Sequence, residues 1–150
     1  MGIIDKLGGS LVNGAMGNMS EVSLDNLIKE YGDYIMADEE IKTGFKLIRD
    51  VMIITDKRLI EFDKQGATGQ KMRVKSIYLE SIVDVTVETA GFGVDDSELT
   101  ITYITSPYYK VSGGASVSDK TFEFPKSFDV VGLYRLLQEI AYKNHIKING

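Results

Sequence analysis

A chain of 150 residues has the length of one domain, and at that size folding buries roughly 68–70% of the unfolded surface without a metal or disulfide staple. With no cysteine and one histidine, a disulfide framework, a thiolate metal site, a cysteine nucleophile, a His-centred triad and a multi-histidine metal centre are excluded. A formal charge of -5, from 17 Lys+Arg against 22 Asp+Glu, and a pI near 4.9 oppose binding to nucleic acid through phosphate neutralisation.

The first twenty residues place Ile3, Ile4, Leu7 and Leu11 at near-helical spacing among five glycines, each costing roughly 1 kcal/mol relative to alanine inside a helix. The spacing predicts a marginal helix that needs a partner. The stretch lacks the charged n-region and apolar core of a signal peptide. No window approaches the roughly 20 apolar residues of a membrane span, so a soluble cytoplasmic protein is expected. A second helix is predicted from Ser23, where Leu24, Leu27, Ile28 and Tyr31 share one face, Ser23 can cap and Asp25 suits the first turn. Acidic Asp38, Glu39 and Glu40 read as a solvated turn.

From Phe45 to Pro125, β-branched and aromatic residues alternate with period two and are interrupted by turn chemistry, the pattern of an antiparallel sandwich or barrel. FKLIRDVMIITDKRLIEFD, from Phe45 to Asp63, reads as a hairpin turning at Thr55–Arg58. Its first strand, Phe45–Ile54, is apolar on both faces, so Ile48, Met52 and Ile54 require a further cover. Either the N-terminal segment or a neighbouring subunit supplies it. Arg49 and Asp50, being adjacent in a strand, point to opposite faces and each needs its own partner.

A KQGATGQ turn follows; GATGQK lacks the spacer and the Ser or Thr of a phosphate loop. On the next strand Lys71, Arg73 and Lys75 share one face, a candidate anion patch against the plainer reading of a solvated surface. Val83, Val85 and Val87, then Leu99, Ile101 and Tyr103, mark two half-buried strands. The carboxylates Asp95, Asp96 and Glu98 lack cation-loop spacing. Tyr103, Tyr108 and Tyr109 with Lys110 suit sheet packing better than base stacking. Tyr108–Val111 is expected to begin a strand, and Thr121–Phe124 to form the last one. Ser127 is expected to cap a final helix carrying Val130, Leu133, Leu137 and Ile140 on one face. His145 near its end reads as a surface residue, and neither cofactor nor metal is expected.

The FKLIRDVMIITDKRLIEFDKQGATGQK segment, with SIYLESI and VETAG, resembles the bacterial pleckstrin-homology-like (PH-like) domain family. The resemblance implies a mainly β (α+β) fold: a partly open barrel of two near-orthogonal antiparallel sheets with a C-terminal capping helix and short N-terminal helices. Residues 1–36 would form a helical segment packed on the domain or on a neighbouring subunit, and 37–150 the PH-like domain. It further implies a non-enzymatic, ring-shaped homo-oligomer that offers a polar surface to an unidentified protein partner. The matching hydrophilic positions are Arg49, Asp50, Thr55, Asp56, Lys57 and Arg58, with Met52 on the apolar face expected to contact another subunit. Two departures stand out. Tyr78 replaces a usual proline, and the short Thr55–Arg58 turn lacks the long basic loop of phosphoinositide binders. A peripheral binder of anionic lipid or small anions, using Lys57, Arg58, Lys71, Arg73 and Lys75, is the second reading.

Overall fold

A computed structural model of the chain describes residues 23–65, 71–91, 96–107 and 113–150. Helix α1 (Leu24–Tyr31) begins at Ser23, whose hydroxyl accepts from the Asn26 N–H at 3.3 Å. Strands β1 (Ile41–Lys46), β2 (Val51–Thr55), β3 (Arg58–Gln65) and β4 (Lys71–Tyr78) form one antiparallel sheet in sequence order. A 3-10 turn at Leu79–Ser81 leads into β5 (Ile82–Glu88), β6 (Ser97–Ile104) and β7 (Val117–Phe124), which form a second antiparallel sheet. Helix α2 (Val130–Asn149) closes the chain.

The main core lies between the sheets and under α2. Phe45, Met52, Ile54, Leu59 and Ile77 of the first sheet meet Leu99, Ile101, Phe122 and Phe124 of the second, with Leu133, Leu137 and Ile140 of α2 packed on them. A second core lies on the opposite face of the first sheet, where Leu27 and Tyr31 of α1 cover Ile41, Ile53, Ile60 and Phe62. The doubly apolar sequence thus finds its cover within the chain. Alternate residues of β2 and β3 feed the two cores in turn, as the period-two geometry of a strand requires.

One expected element is redrawn. Phe45–Ile54 is not a single strand: residues 47–50 turn between β1 and β2, closed by the Leu47 N–H donating to the Asp50 carbonyl at 2.8 Å. Phe45 faces Met52 across that hairpin, and Lys46 faces Val51. Two boundaries move and one turn is reread. The last strand starts at Val117, four residues before Thr121, and pairs along its length with β6. Asp129 rather than Ser127 caps α2, accepting from the Gly132 N–H at 3.0 Å, because residues 125–128 are used in a turn closed by Phe128 N–H to Pro125 O. That turn buries Phe128 against Phe124 and Phe45. Residues 38–40 are not simply a solvated turn, since Glu39 is buried. The strand expected at Tyr108–Val111 lies outside the described residues.

Gly44 sets how closely α1 sits on β1. A Cβ there would stand 2.6 Å from Leu27 Cδ1, and Leu27 is fully buried. Gly44→Ala is therefore expected to destabilise the domain by about 1–3 kcal/mol through overpacking, read as a lower denaturation midpoint. The additional variant Leu27→Ala should recover part of that loss if the two side chains collide.

Candidate functional site

The hydrophilic residues of the first hairpin fall into two groups at opposite ends of β2, roughly 17 Å apart by strand rise. At the β2–β3 corner the sequence Thr-Asp-Lys-Arg builds a tight turn. The buried Thr55 hydroxyl accepts from the backbone N–H of Lys57 at 3.0 Å and of Arg58 at 2.8 Å, then donates to Glu39 Oε2 at 2.6 Å. Arg58 approaches the same carboxylate in bidentate fashion, Nε to Oε2 at 2.8 Å and Nη2 to Oε1 at 2.6 Å. Its remaining donors reach Ser76 Oγ at 2.9 Å and the Tyr34 carbonyl at 3.0 Å. Burial alone would raise the Glu39 pKa, but the bonds from Arg58, Thr55 and the Met36 N–H outweigh it and hold the pKa at about 2. Asp56 Oδ1 accepts from the Glu40 N–H at 2.8 Å while its own N–H donates to the Glu40 carbonyl at 3.0 Å. Lys57 Nζ donates to the Asp38 carbonyl.

This corner is a clamp that holds residues 34–40 on the sheet. The expectation that Thr55 and Arg58 face a partner is corrected: both are buried, with their polar groups used within the chain. The polar surface there narrows to Asp56 and Lys57. Met52 is fully buried in the main core, so its expected place at a subunit contact is corrected too.

At the other end of β2, Arg49 is exposed and Asp50 half-buried in the β1–β2 turn. Desolvation, then the charges of Glu61 and Asp63, raise the Asp50 pKa to about 6. Glu61 is nearly fully buried and is matched by Lys120 of β7 at 3.0 Å. The three candidate anion ligands lie along β4, where Lys71, Arg73 and Lys75 stand opposite Gln65, Asp63 and Glu61. Lys75 Nζ also sits 5.2 Å from the Tyr103 ring centroid and, as the leading cause, lowers the Tyr103 pKa. Acids thus stand across the ladder from Arg73 and Lys75, while Lys71 faces a neutral amide. No group of three His, Asp or Glu side chains among the described residues is arranged to hold a metal.

A family model described as the bacterial PH domain matches residues 10–141. The chain belongs to that family. The bacterial PH fold is shared with a pleckstrin homology domain from Shewanella amazonensis, 35% identical with a TM-score of 0.61, covering 87% of this chain and 97% of the other. A pleckstrin-homology-domain protein from Shewanella loihica is 33% identical with a TM-score of 0.60, covering 83% and 97%. YjqA of Bacillus subtilis, an uncharacterized protein, is 43% identical over 90 residues, 60% of this chain and 72% of YjqA.

In this bacterial PH domain, sequence reasoning missed Glu39, Glu61, Lys120 and Asn144. The first three look like ordinary surface charges in the text, and only the fold brings their partners from 16 to 59 positions away. Asn144 sits among polar residues of α2, yet its Nδ2 donates to the carbonyls of Leu79 at 2.7 Å and Ile82 at 2.8 Å, pinning the helix to the crossover between sheets. A polar residue on the apolar side of a helical stripe is the signal that could have found it. His145 is exposed, with Nε2 2.7 Å from the Val83 carbonyl. No helix among the described residues is long and apolar enough to cross a membrane.

Proposed function

We propose that this bacterial PH domain is a non-catalytic interaction module that assembles with copies of itself into a ring and presents polar surface to a protein partner. The observation that carries the reading is the pair of eight-residue end strands, β4 and β7, each bonded to one neighbouring strand in its sheet. Among the described residues β4 pairs with β3 alone, and β7 pairs with β6 and accepts one further bond, from the Ile48 N–H to the Glu123 carbonyl; a long sheet edge is the usual template for strand addition. The two edges differ in charge: β4 carries exposed Lys71 and Arg73, β7 exposed Asp119 and Glu123. Unlike edges favour head-to-tail contacts, and such contacts close into rings when the rotation permits. The family resemblance points the same way.

The lipid reading is weaker because its cations do not converge. Arg58 is consumed by Glu39, and Lys57 just precedes β3 while Lys71 pairs with its far end, roughly 26 Å along the strand. Light scattering of the purified chain, paired with sedimentation against anionic vesicles, separates the two. A mass several times that of one chain with no vesicle binding supports assembly. A monomer that sediments with vesicles in a salt-sensitive way supports the lipid reading instead.

A further inference from the structure

Helix α1 crosses the first sheet from β1 to β3. Leu27 lies over Gly44 of β1, where a Cβ would stand 2.6 Å from it, and the Tyr31 ring meets that of Phe62 on β3 at 4.4 Å between centroids. Leu24 and Ile28, one turn apart, share a flank beside the buried edge formed by Leu27 and Tyr31. That flank is open to solvent, with Leu24 46% and Ile28 52% exposed. Glu30 sits roughly 160° from Ile28 round the helix axis and pairs with Lys64 at 3.4 Å. The apolar flank therefore looks away from the Lys64 end of β3, toward the β2–β3 corner.

Two half-exposed aliphatic side chains offer far less than the roughly 1,000 Å² that a stable contact between separate chains requires. They suit a segment already tethered beside them, whose effective concentration is on the order of millimolar. Such a segment ends at Ser23, the residue that caps α1. Residues 1–22 lie outside the described residues, and their sequence places Ile4, Leu7 and Leu11 at helical spacing. The eleven residues between Leu11 and Ser23 span up to roughly 36 Å when extended, against about 12 Å for the whole of α1. Reach is therefore ample. We propose that the segment Ile3–Leu11 folds back on its own chain and seats Ile4, Leu7 and Leu11 on the Leu24–Ile28 flank of α1. The contact widens the second core, which in the described residues stops at Leu27 and Tyr31. It is made within one chain and stands whether or not the domain assembles.

The chain has no cysteine, so paired cysteines introduced into the full chain report proximity without background. Leu7→Cys with Ile28→Cys is compared with Leu7→Cys with Glu30→Cys, which has nearly the same tether but lies on the opposite flank. In dilute protein under mild oxidation, the first pair should close an intrachain disulfide roughly tenfold faster, because the bond needs Cα atoms within about 7 Å and a docked segment holds them there. Leu7→Asp should make the Ile28 methyls more accessible to a soluble paramagnetic probe, read by NMR, while the buried Leu27 methyls stay protected. Equal closure rates for the two pairs overturn the proposal, since a loose tether reaches both flanks alike. Closure between chains that rises with protein concentration overturns it in favour of a second copy on the flank. Ile28 methyls whose accessibility Leu7→Asp leaves unchanged overturn it as well.

Discussion

Replacing Arg58 with alanine should lower the unfolding free energy of the domain by about 3–5 kcal/mol, the usual loss when one partner of a buried ion pair is removed. The Glu39 side chain is completely buried and the Arg58 side chain nearly so, so the truncation strands a carboxylate without its bidentate donor and also drops the bonds to Ser76 and Tyr34. Arg58→Lys should recover only a part, because one ammonium cannot span both Glu39 oxygens and the Tyr34 carbonyl. Paired replacement by Glu39→Gln and Arg58→Met should cost less than Arg58→Ala, since no buried charge remains. The pH dependence has a fixed sign. Glu39 is held at about 2 against an ordinary 4.5, so its contribution, on the order of 3 kcal/mol, is present above about pH 4.5 and is lost as pH falls through 2. Urea titrations at pH 7 and pH 3 check both statements. An Arg58→Ala midpoint equal to wild type would mean that water reaches Glu39.

Met52→Ala should destabilise the folded chain by about 2–5 kcal/mol through the cavity it leaves, while leaving the native molar mass in solution unchanged. Met52 is fully enclosed by the core of a single chain and faces Phe45 across the β1–β2 hairpin. Chemical denaturation and light scattering on the same sample separate the outcomes. Unaltered stability with a reduced mass would place Met52 at a contact between chains.

The contrast between those residues explains how much the sequence disclosed. The alternation of Leu99, Ile101 and Tyr103, and the helical stripe of Leu133, Leu137 and Ile140, come from local periodicity, and the structure places them as expected. The Phe45–Ile54 run was harder. Two short strands that are each covered on both sides produce a continuous apolar text, and of the residues that usually announce a turn the intervening Ile-Arg-Asp carries only Asp50. The covering helix was legible from its amphipathic pattern, but its seating depends on Gly44 and Leu27, seventeen positions apart. The site was the least readable. Arg58 and Lys57 are neighbours with the same charge, yet the first is buried against Glu39 and the second half-exposed. Their difference arises from a carboxylate nineteen positions earlier, which no local pattern encodes.

Whether the domain assembles as proposed is decided by the molar mass of the full chain in solution. Light scattering at about 10–50 μM protein should return a discrete multiple of 16.6 kDa, and reversing charge on β4 with Lys71→Glu and Arg73→Glu should lower that mass without loss of β structure. A single species of 16.6 kDa across that range would mean that the domain is a monomer.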